Sequence, residues 1–372
     1  MSKLLSQGGF GCVFYPGIKC DGQPNPSKKI VTKIQENNFN AKNESRIGKL
    51  VESLPNYKVY FLPVINSCPI NIRKINKSVI SKCEIIKEKA DYIAMDIDYI
   101  TTVDFVSVLH KVSSKRLLLL LYQTYNYLLD ALQELEKVSV VHYDLKLDNM
   151  LFVKETSQPR IIDFGISIPI NEVTDDNLKK YFYVFAPEYY VWCPEINFIN
   201  YLLHEAKDTL MESDIEMVID MCIHNNPLLM SSVESIQSEY KVEAKKYYKQ
   251  FIGKKKLDII RKLRETHKTW DNYSLSILLS SLINKLFDGN ENKNGYIFSL
   301  ERLFLRNIHP DPSVRLNLID TSSKLDEVLY EDGNVKSYLT LTRHINKNVS
   351  SISNEIQREL SHLNKSKRRD SP

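Results

Sequence analysis

The sequence predicts an α+β fold in two unequal parts, a small strand-rich region followed by a larger helical one. Three observations carry this. The β-prone runs Phe10–Tyr15, Ile30–Ile34 and Tyr92–Ile100 all fall before residue 101. One long, mostly apolar helical pattern then occupies Lys115–Lys137. After residue 188 helical periodicity dominates, ending in the polar tail KSKRRDSP.

Taken in order, the first strand must be built from Lys3–Ser6, because almost nothing precedes the glycine cluster SQGGFG. A loop rich in Pro, Gly and Asn, PGIKCDGQPNPSKK, joins the next two strands. Ala41–Leu54 reads as a helix, with Ile47, Leu50, Val51 and Leu54 at helical spacing. Val140–Val153 and Arg160–Ile168 read as short strands and turns around polar clusters. Farther on, the periodicity predicts a helix near residues 198–224, a break at Asn225-Asn226-Pro227, and further helices to residue 268. No internal repeat is present.

With 43% hydrophobic and 26% charged residues among 372, the chain reads as a soluble globular protein. No apolar run is long enough to span a bilayer, and MSKLLSQGGFG lacks the apolar core of a secretory signal. The six cysteines (Cys12, Cys20, Cys68, Cys83, Cys193, Cys222) form no CxxC pair. Their scatter argues against a disulfide framework or zinc site and for a reducing compartment. Charge is unevenly spread. Residues 171–220 hold 11 Asp/Glu against 3 Lys, and residues 241–268 hold 11 Lys/Arg against 3 Asp/Glu. Such blocks are expected to be solvated helix faces that pair with one another. The alternative is docking of an acidic partner or nucleic acid on the basic block, and nucleic acid is the disfavoured occupant.

Chemistry concentrates in a few stretches. SQGGFGCVF lets a backbone approach phosphate oxygens, though a plain glycine turn in a hairpin reads the same way. Lys33 lies inside an apolar strand, IVTKI, and Glu44 lies ahead on the helix NESRIGKL. Alone, each is an ordinary surface charge; together they make a pair able to hold a lysine ready for a nucleotide's phosphates. HYDLKLDNMLF and IIDFG bring more. Asp163 and Asn149 offer the oxygen ligands that Mg²⁺ favours beside substrate phosphates. Asp144 can accept a proton from an attacking hydroxyl, and Lys146 can neutralise phosphoryl charge. His142 reads as a buried structural histidine supporting the loop.

Eight ordered motifs, SQGGFGCV, VTK, NESRI, HYDLKLDN, DFG, APE, TWDNYSLSILL and HPDPSVRL, resemble eukaryotic-type protein kinases over roughly residues 3–330. The opening LLSQGGFGCVFYPGI resembles kinases encoded by large DNA viruses. The resemblance implies a bilobal protein-kinase-like fold. Its small β-rich N-lobe would be residues 1–97 and its larger helical C-lobe 98–332, with a helical insertion over 189–268. A C-terminal helix and basic tail would occupy 333–372. It implies ATP and Mg²⁺, and a protein substrate whose Ser/Thr hydroxyls accept the γ-phosphoryl group. Ser6, Gly8, Gly9, Phe10, Gly11 and Val13 would cover the ATP, Lys33 paired with Glu44 would hold its phosphates, and Asp104 would meet the ribose. Asp144 would be the base, Lys146 a phosphate contact, and Asn149 and Asp163 the metal ligands. The adenine would sit against Met95–Thr102, with the gatekeeper either Met95 or Ile97. Asp271 would anchor the catalytic loop from below, and Arg315 would pair with Glu188 of APE. A cytoplasmic or nuclear location in a host cell, or association with a virion, goes with the viral resemblance; no membrane partner is expected, because no apolar run is long enough to span a bilayer. The insertion is a place for a docking partner.

The departures from the family pattern are informative. Ser6 replaces the first glycine, and Lys33 and Glu44 are a short connection apart. Tyr181 stands five residues before Ala186, where Ser/Thr kinases usually carry a Thr that touches the base, while Lys146 favours the Ser/Thr type. Tyr143 replaces the Arg that usually precedes the catalytic Asp. It carries no charge to pair with a loop phosphate, so activity is expected to be independent of phosphorylation at Ser167, Thr174, Tyr181 or Tyr183. Two alternatives remain open. One is a pseudokinase scaffold, whose usual mark is loss of the lysine, base or metal Asp, all present here. The other is a small-molecule kinase of the aminoglycoside or choline type, which lacks APE and DPSVR.

Overall fold

The computed structural model describes residues 2–9, 11–87, 90–104, 108, 114–205, 208–286 and 295–330. Phe10 and the expected C-terminal helix and tail over 333–372 lie outside the described residues. The molecule is mixed α+β. Its N-terminal part is a five-stranded antiparallel sheet in the order β1-β2-β3-β5-β4. The strands are β1 (Lys3–Gln7), β2 (Gly11–Tyr15), β3 (Ile30–Glu36), β4 (Val64–Ile70) and β5 (Tyr92–Asp98).

Alternation along these strands sends successive side chains to opposite faces. Cys12, Phe14, Ile34, Tyr92 and Ala94 build one small core, closed by Ile75, Val79 and Cys83 from the connection between β4 and β5. Ile93 and Met95 build another with Val64 and Ala41. Ala41 belongs to α1 (Phe39–Glu52), which starts where the Asn38 side chain accepts the Ala41 N–H at 3.1 Å. Gly48 lets α1 approach β4 at backbone contact, since a Cβ there would lie 2.2 Å from the Val64 carbonyl oxygen.

The C-terminal part is mostly helical. In α2 (Ser114–Lys137) Leu121, Tyr125, Leu128, Leu132 and Leu135 form the buried stripe. In α7 (Trp270–Leu286) Trp270, Tyr273, Ile277, Leu279 and Ile283 are all buried, and so are the intervening Asn272, Ser274, Ser276 and Ser280. A helix buried all round is a core element rather than a surface one. Before it come α3 (Pro194–His204), α4 (Glu212–Asn225), α5 (Glu234–Tyr248) and α6 (Lys256–Arg264); after it come α8 (Gly295–Asn307) and α9 (Leu318–Tyr330).

The single helix expected near 198–224 is thus two, because the chain turns between His204 and Glu212. The break at Asn225-Asn226-Pro227 is present. There Asn226 accepts the N–H groups of Leu228 and Leu229 at 3.0 and 3.2 Å. The acidic and basic blocks meet across α4 and α5. Lys241 lies 2.6 Å from Asp220, and Lys245 lies 2.6 Å from Glu216. No helix among the described residues is long and apolar enough to cross a membrane.

The cysteines overturn their expectation. Cys12 is bonded to Cys83 and Cys20 to Cys68, while Cys193 and Cys222 are buried free thiols. The bridges close 71 and 48 residues of chain, so no short spacing announces them. Proximity of strands and their connections in the sheet brings the partners together. The argument for a reducing compartment loses its basis with them.

Candidate active site

Four short strands hold the polar loop that carries His142–Asn149. Val140–Val141 (β7) pairs with Ile168–Pro169 (β10), and Met150–Val153 (β8) pairs with Pro159–Ile161 (β9). The loop between β7 and β8 is therefore fixed at both ends. Beneath it, Asp271 in the first turn of α7 accepts the backbone N–H of His142 at 2.7 Å and of Tyr143 at 3.0 Å. Burial pushes the Asp271 carboxyl up, against these two donors and His142. The His142 ring supports the loop from inside. Its Nε2 faces the Ile162 carbonyl at 3.1 Å and its Nδ1 accepts the Asp144 N–H at 3.3 Å, which places the proton on Nε2. Tyr143 is held at φ +70°, and its ring packs on Trp192 with centroids 4.8 Å apart. The Trp192 indole N–H donates to the Tyr143 carbonyl at 2.9 Å.

Asp144 is buried at the floor of the cleft. Asn149 Nδ2 donates to its carbonyl at 2.9 Å and to Oδ2 at 2.8 Å. Lys146 Nζ lies 3.8 Å from the same Oδ2. Across the cleft, Lys33 Nζ sits 2.7 Å from Glu44 Oε2 and 3.1 Å from Asp163 Oδ1. Burial opposes the Lys33 charge, but Asp163 and Glu44 outweigh it and push its pKa up. Burial pushes Glu44 up to about 6, against the pull of a lysine it shares with Asp163. Asn43, beside Glu44, donates to the carbonyls of Gly165 at 3.0 Å and Ser167 at 2.8 Å, tying α1 to the chain just after Asp163. Asp163 itself has φ +65°. Gln35, Asn40, Glu44, Asp144, Asp163, Gly165 and Ile166 line one cleft between the sheet and the helical part.

The other expected site residues sit as follows. Val13 is half-buried on β2 and pairs with Lys33, which pairs with Met95 on its other side. Met95 is fully buried, whereas Ile97 is half-buried nearer the strand's end. Ser6, Gly8 and Gly9 are exposed, and a Cβ on either of these glycines would meet nothing within 4 Å. Gly11 is different. A Cβ there would lie 3.0 Å from Gln35 Cβ and from the Ile34 carbonyl, so it is a glycine of strand packing. Asp104 is exposed just past β6 (Thr102–Val103).

No protein-family model matches the chain, and no curated protein matches it in sequence.

The expected pair of Arg315 with Glu188 is not formed. Arg315 grips Glu195 through two parallel contacts of 2.9 and 3.0 Å, both side chains fully buried, and donates from Nε to the His309 carbonyl at 2.6 Å. Glu188 is exposed. The chain has two Pro-Glu pairs seven residues apart, and only the second opens a helix: Pro194 stands at the start of α3 with Glu195 in its first turn. Pro at the start of an apolar helical run was the signal available in the sequence. Tyr181 does not reach Asp144; its hydroxyl accepts from Arg46 at 2.5 Å. The residue whose hydroxyl donates to Asp144 Oδ1 is Tyr189, which the sequence reading did not single out.

Among the described residues no group of three or more His, Cys, Asp or Glu gathers around a metal position. A magnesium ion bound mainly by phosphates needs only one or two protein oxygens. Asp163 and Asn149 fit that demand: Asn149 spends its amide N–H on Asp144, which orients its Oδ1 as the acceptor end.

Proposed function

We propose that the chain is an ATP-dependent protein kinase of the eukaryotic type, with a bilobal fold, that phosphorylates protein Ser/Thr hydroxyls. The observation that carries this reading is Lys33 held between Glu44 and Asp163 across one cleft from Asp144. Taking three charged groups out of water is costly, and a cluster with pKa values perturbed in this way in a cleft marks a candidate functional site. Lys33 positions the α- and β-phosphates, and Glu44 positions Lys33. Asp163 and Asn149 would hold Mg²⁺, which would supply charge neutralisation for the phosphates. Asp144 accepts the proton as the substrate oxygen bonds to the γ-phosphorus and the bond to ADP breaks. Lys146 offsets charge on the transferred group, and Tyr189 fixes the free rotation of the Asp144 carboxylate by donating to one of its oxygens. Catalysis is then mostly positioning and electrostatics, because the phosphoryl transition state is loose.

The test is transfer of labelled γ-phosphate from ATP with Mg²⁺ to generic protein substrates, beside Lys33→Met, Asp144→Asn and Asp163→Ala. The wild-type chain is expected to label protein. The base variant is expected to lose about 10²–10⁴ in rate, and the other two are expected to be at background. Wild-type turnover in any of the three, or none in the wild type, overturns the reading. Label that enters small aminoalcohols or aminoglycosides rather than protein would move the substrate class.

A further inference from the structure

Every kinase-like site needs the chain after its metal-binding Asp to be held still. In this chain the loop Glu172–Asn177 is gripped from two sides by arginines. From α1, Arg46 pairs with the Glu172 carboxylate and donates to the Tyr181 hydroxyl at 2.5 Å, braced by Asn43 Oδ1 at 2.8 Å. From α6, in the inserted region, Arg261 pairs with Asp175, and Arg264 donates to the Val173 carbonyl at 2.7 Å. Between the two grips Asn177 folds the turn, accepting the Thr174 N–H at 2.8 Å and donating to the Glu172 carbonyl at 2.9 Å. The helix that presents Arg261 and Arg264 is itself rigid, since Ile259, Ile260 and Leu263 are fully buried.

We propose that Arg46, Arg261 and Arg264 are positioning residues that hold this segment in its working conformation through the segment's own carboxylates and backbone, so that the inserted helix α6 takes the place of a phosphorylation switch. The proposal rests on the kinase reading for its consequence but not for its geometry.

Three observations favour it over a set of incidental surface pairs. First, the two grips bracket one short turn from opposite elements, and α1 also carries Glu44 and Asn43, so loosening the turn loosens the residues that hold Lys33 and the Asp163 loop. Second, Arg264 is half-buried, with its Nε enclosed and unpaired, and burial pushes its pKa down. A guanidinium drawn that far from water is more than a solvated charge. Third, a loop phosphate has little to find. Ser167 is fully buried and donates to the His142 carbonyl at 2.9 Å, and Tyr181 is buried on Arg46. Thr174 is exposed, but it stands between Glu172 and Asp175, whose carboxylates already occupy Arg46 and Arg261.

The experiment uses the full chain after phosphatase treatment. Hydrogen exchange of the peptide spanning residues 168–182 is measured in the wild type, in Arg46→Gln and in Arg261→Ala/Arg264→Ala. Steady-state kinetics are measured beside it. Exchange in the turn is expected to rise roughly tenfold in each variant, with kcat/KM falling to a similar degree. Exchanging the two charges, Arg261→Asp with Asp175→Arg, is expected to recover most of what either single change loses. Unchanged exchange in both variants overturns the proposal. So does a wild-type enzyme silenced by phosphatase, or a double exchange no better than its singles. If the wild type transfers no phosphoryl group at all, the kinase reading fails, while the exchange result still decides whether the grips hold the turn.

Discussion

At the scale of single residues, two buried charges reach far along the chain, Asp271 to the His142 loop across 129 positions and Arg315 to Glu195 across 120. His142, Asp144 and Asn149 lie on one tight loop, so their spacing alone puts them together. Lys33 and Glu44 come from adjacent elements, and the structure sets them 2.7 Å apart. Arg315 and its partner are separated by 120 positions, and motif shape selected the wrong glutamate. Burial separates the two candidates as the helix start after Cys193 does: Glu195 is fully buried in the first turn of α3, whereas Glu188 faces water. That difference makes a direct prediction. Arg315→Ala leaves the Glu195 carboxylate buried without its cation and is expected to cost about 3–5 kcal/mol. Glu188→Gln removes an exposed charge and is expected to stay within about 0.5 kcal/mol of wild type. Urea denaturation of both variants checks it. Equal losses in the two would mean that Glu188 carries the pairing after all.

At the scale of elements, the sequence placed four of the five sheet strands, the long helix α2 and the break at Asn226, because each has a local signature, whereas β4 (Val64–Ile70), interrupted by Asn66, Ser67 and Pro69, was not expected. Alternation marks the strands, a wide apolar stripe marks α2, and an Asn followed by Pro marks a helix start. What it could not place was how closely elements pack. Gly48 reads as an unfavourable residue inside a helix, yet it is the contact point between α1 and β4. A Cβ there would overlap the Val64 carbonyl, which belongs to a strand backbone and cannot rotate aside. Gly48→Ala therefore gains helix propensity, worth about 1 kcal/mol at most, and loses more through overpacking, typically about 1–3 kcal/mol. Because Glu44 lies one turn away on α1, the displaced helix should also pull Glu44 from Lys33. The expected outcome is a less stable protein with weakened ATP binding, read by thermal denaturation and by nucleotide titration. A stabilised variant with unchanged nucleotide affinity would show that α1 has room to shift along β4.

At the scale of the whole molecule, the two parts are secured by different means. One large apolar core surrounds α7 and runs on to Ile47 and Val51 of α1 and to Phe61. The sheet has two small cores, one on each face, and the outer one is covered by the connection between β4 and β5 together with Ile18 of the loop after β2. Small cores rarely hold themselves, and cross-links are a usual remedy. Both disulfides fall at this outer face. Cys12–Cys83 ties the strand after the glycine turn to the covering connection, and Cys20–Cys68 ties the loop after β2 to the edge strand β4. Gln7 reinforces the first by accepting the Glu84 N–H at 2.8 Å. Removing a disulfide of this kind typically costs about 2–4 kcal/mol. Because the loss acts on one part, it should appear as local opening rather than global unfolding. Thiol titration of the denatured, unreduced chain is expected to find the two cysteines that are free here, Cys193 and Cys222. Burial pushes both of their thiols up in the folded state, so they should also resist alkylation until the chain unfolds. After reduction, hydrogen exchange should rise in β1, β2 and residues 71–87, while α7 keeps its protection. If reduction instead exposes α7 in step with the sheet, the two parts unfold as one cooperative unit. If it changes neither, the outer core holds without its bridges.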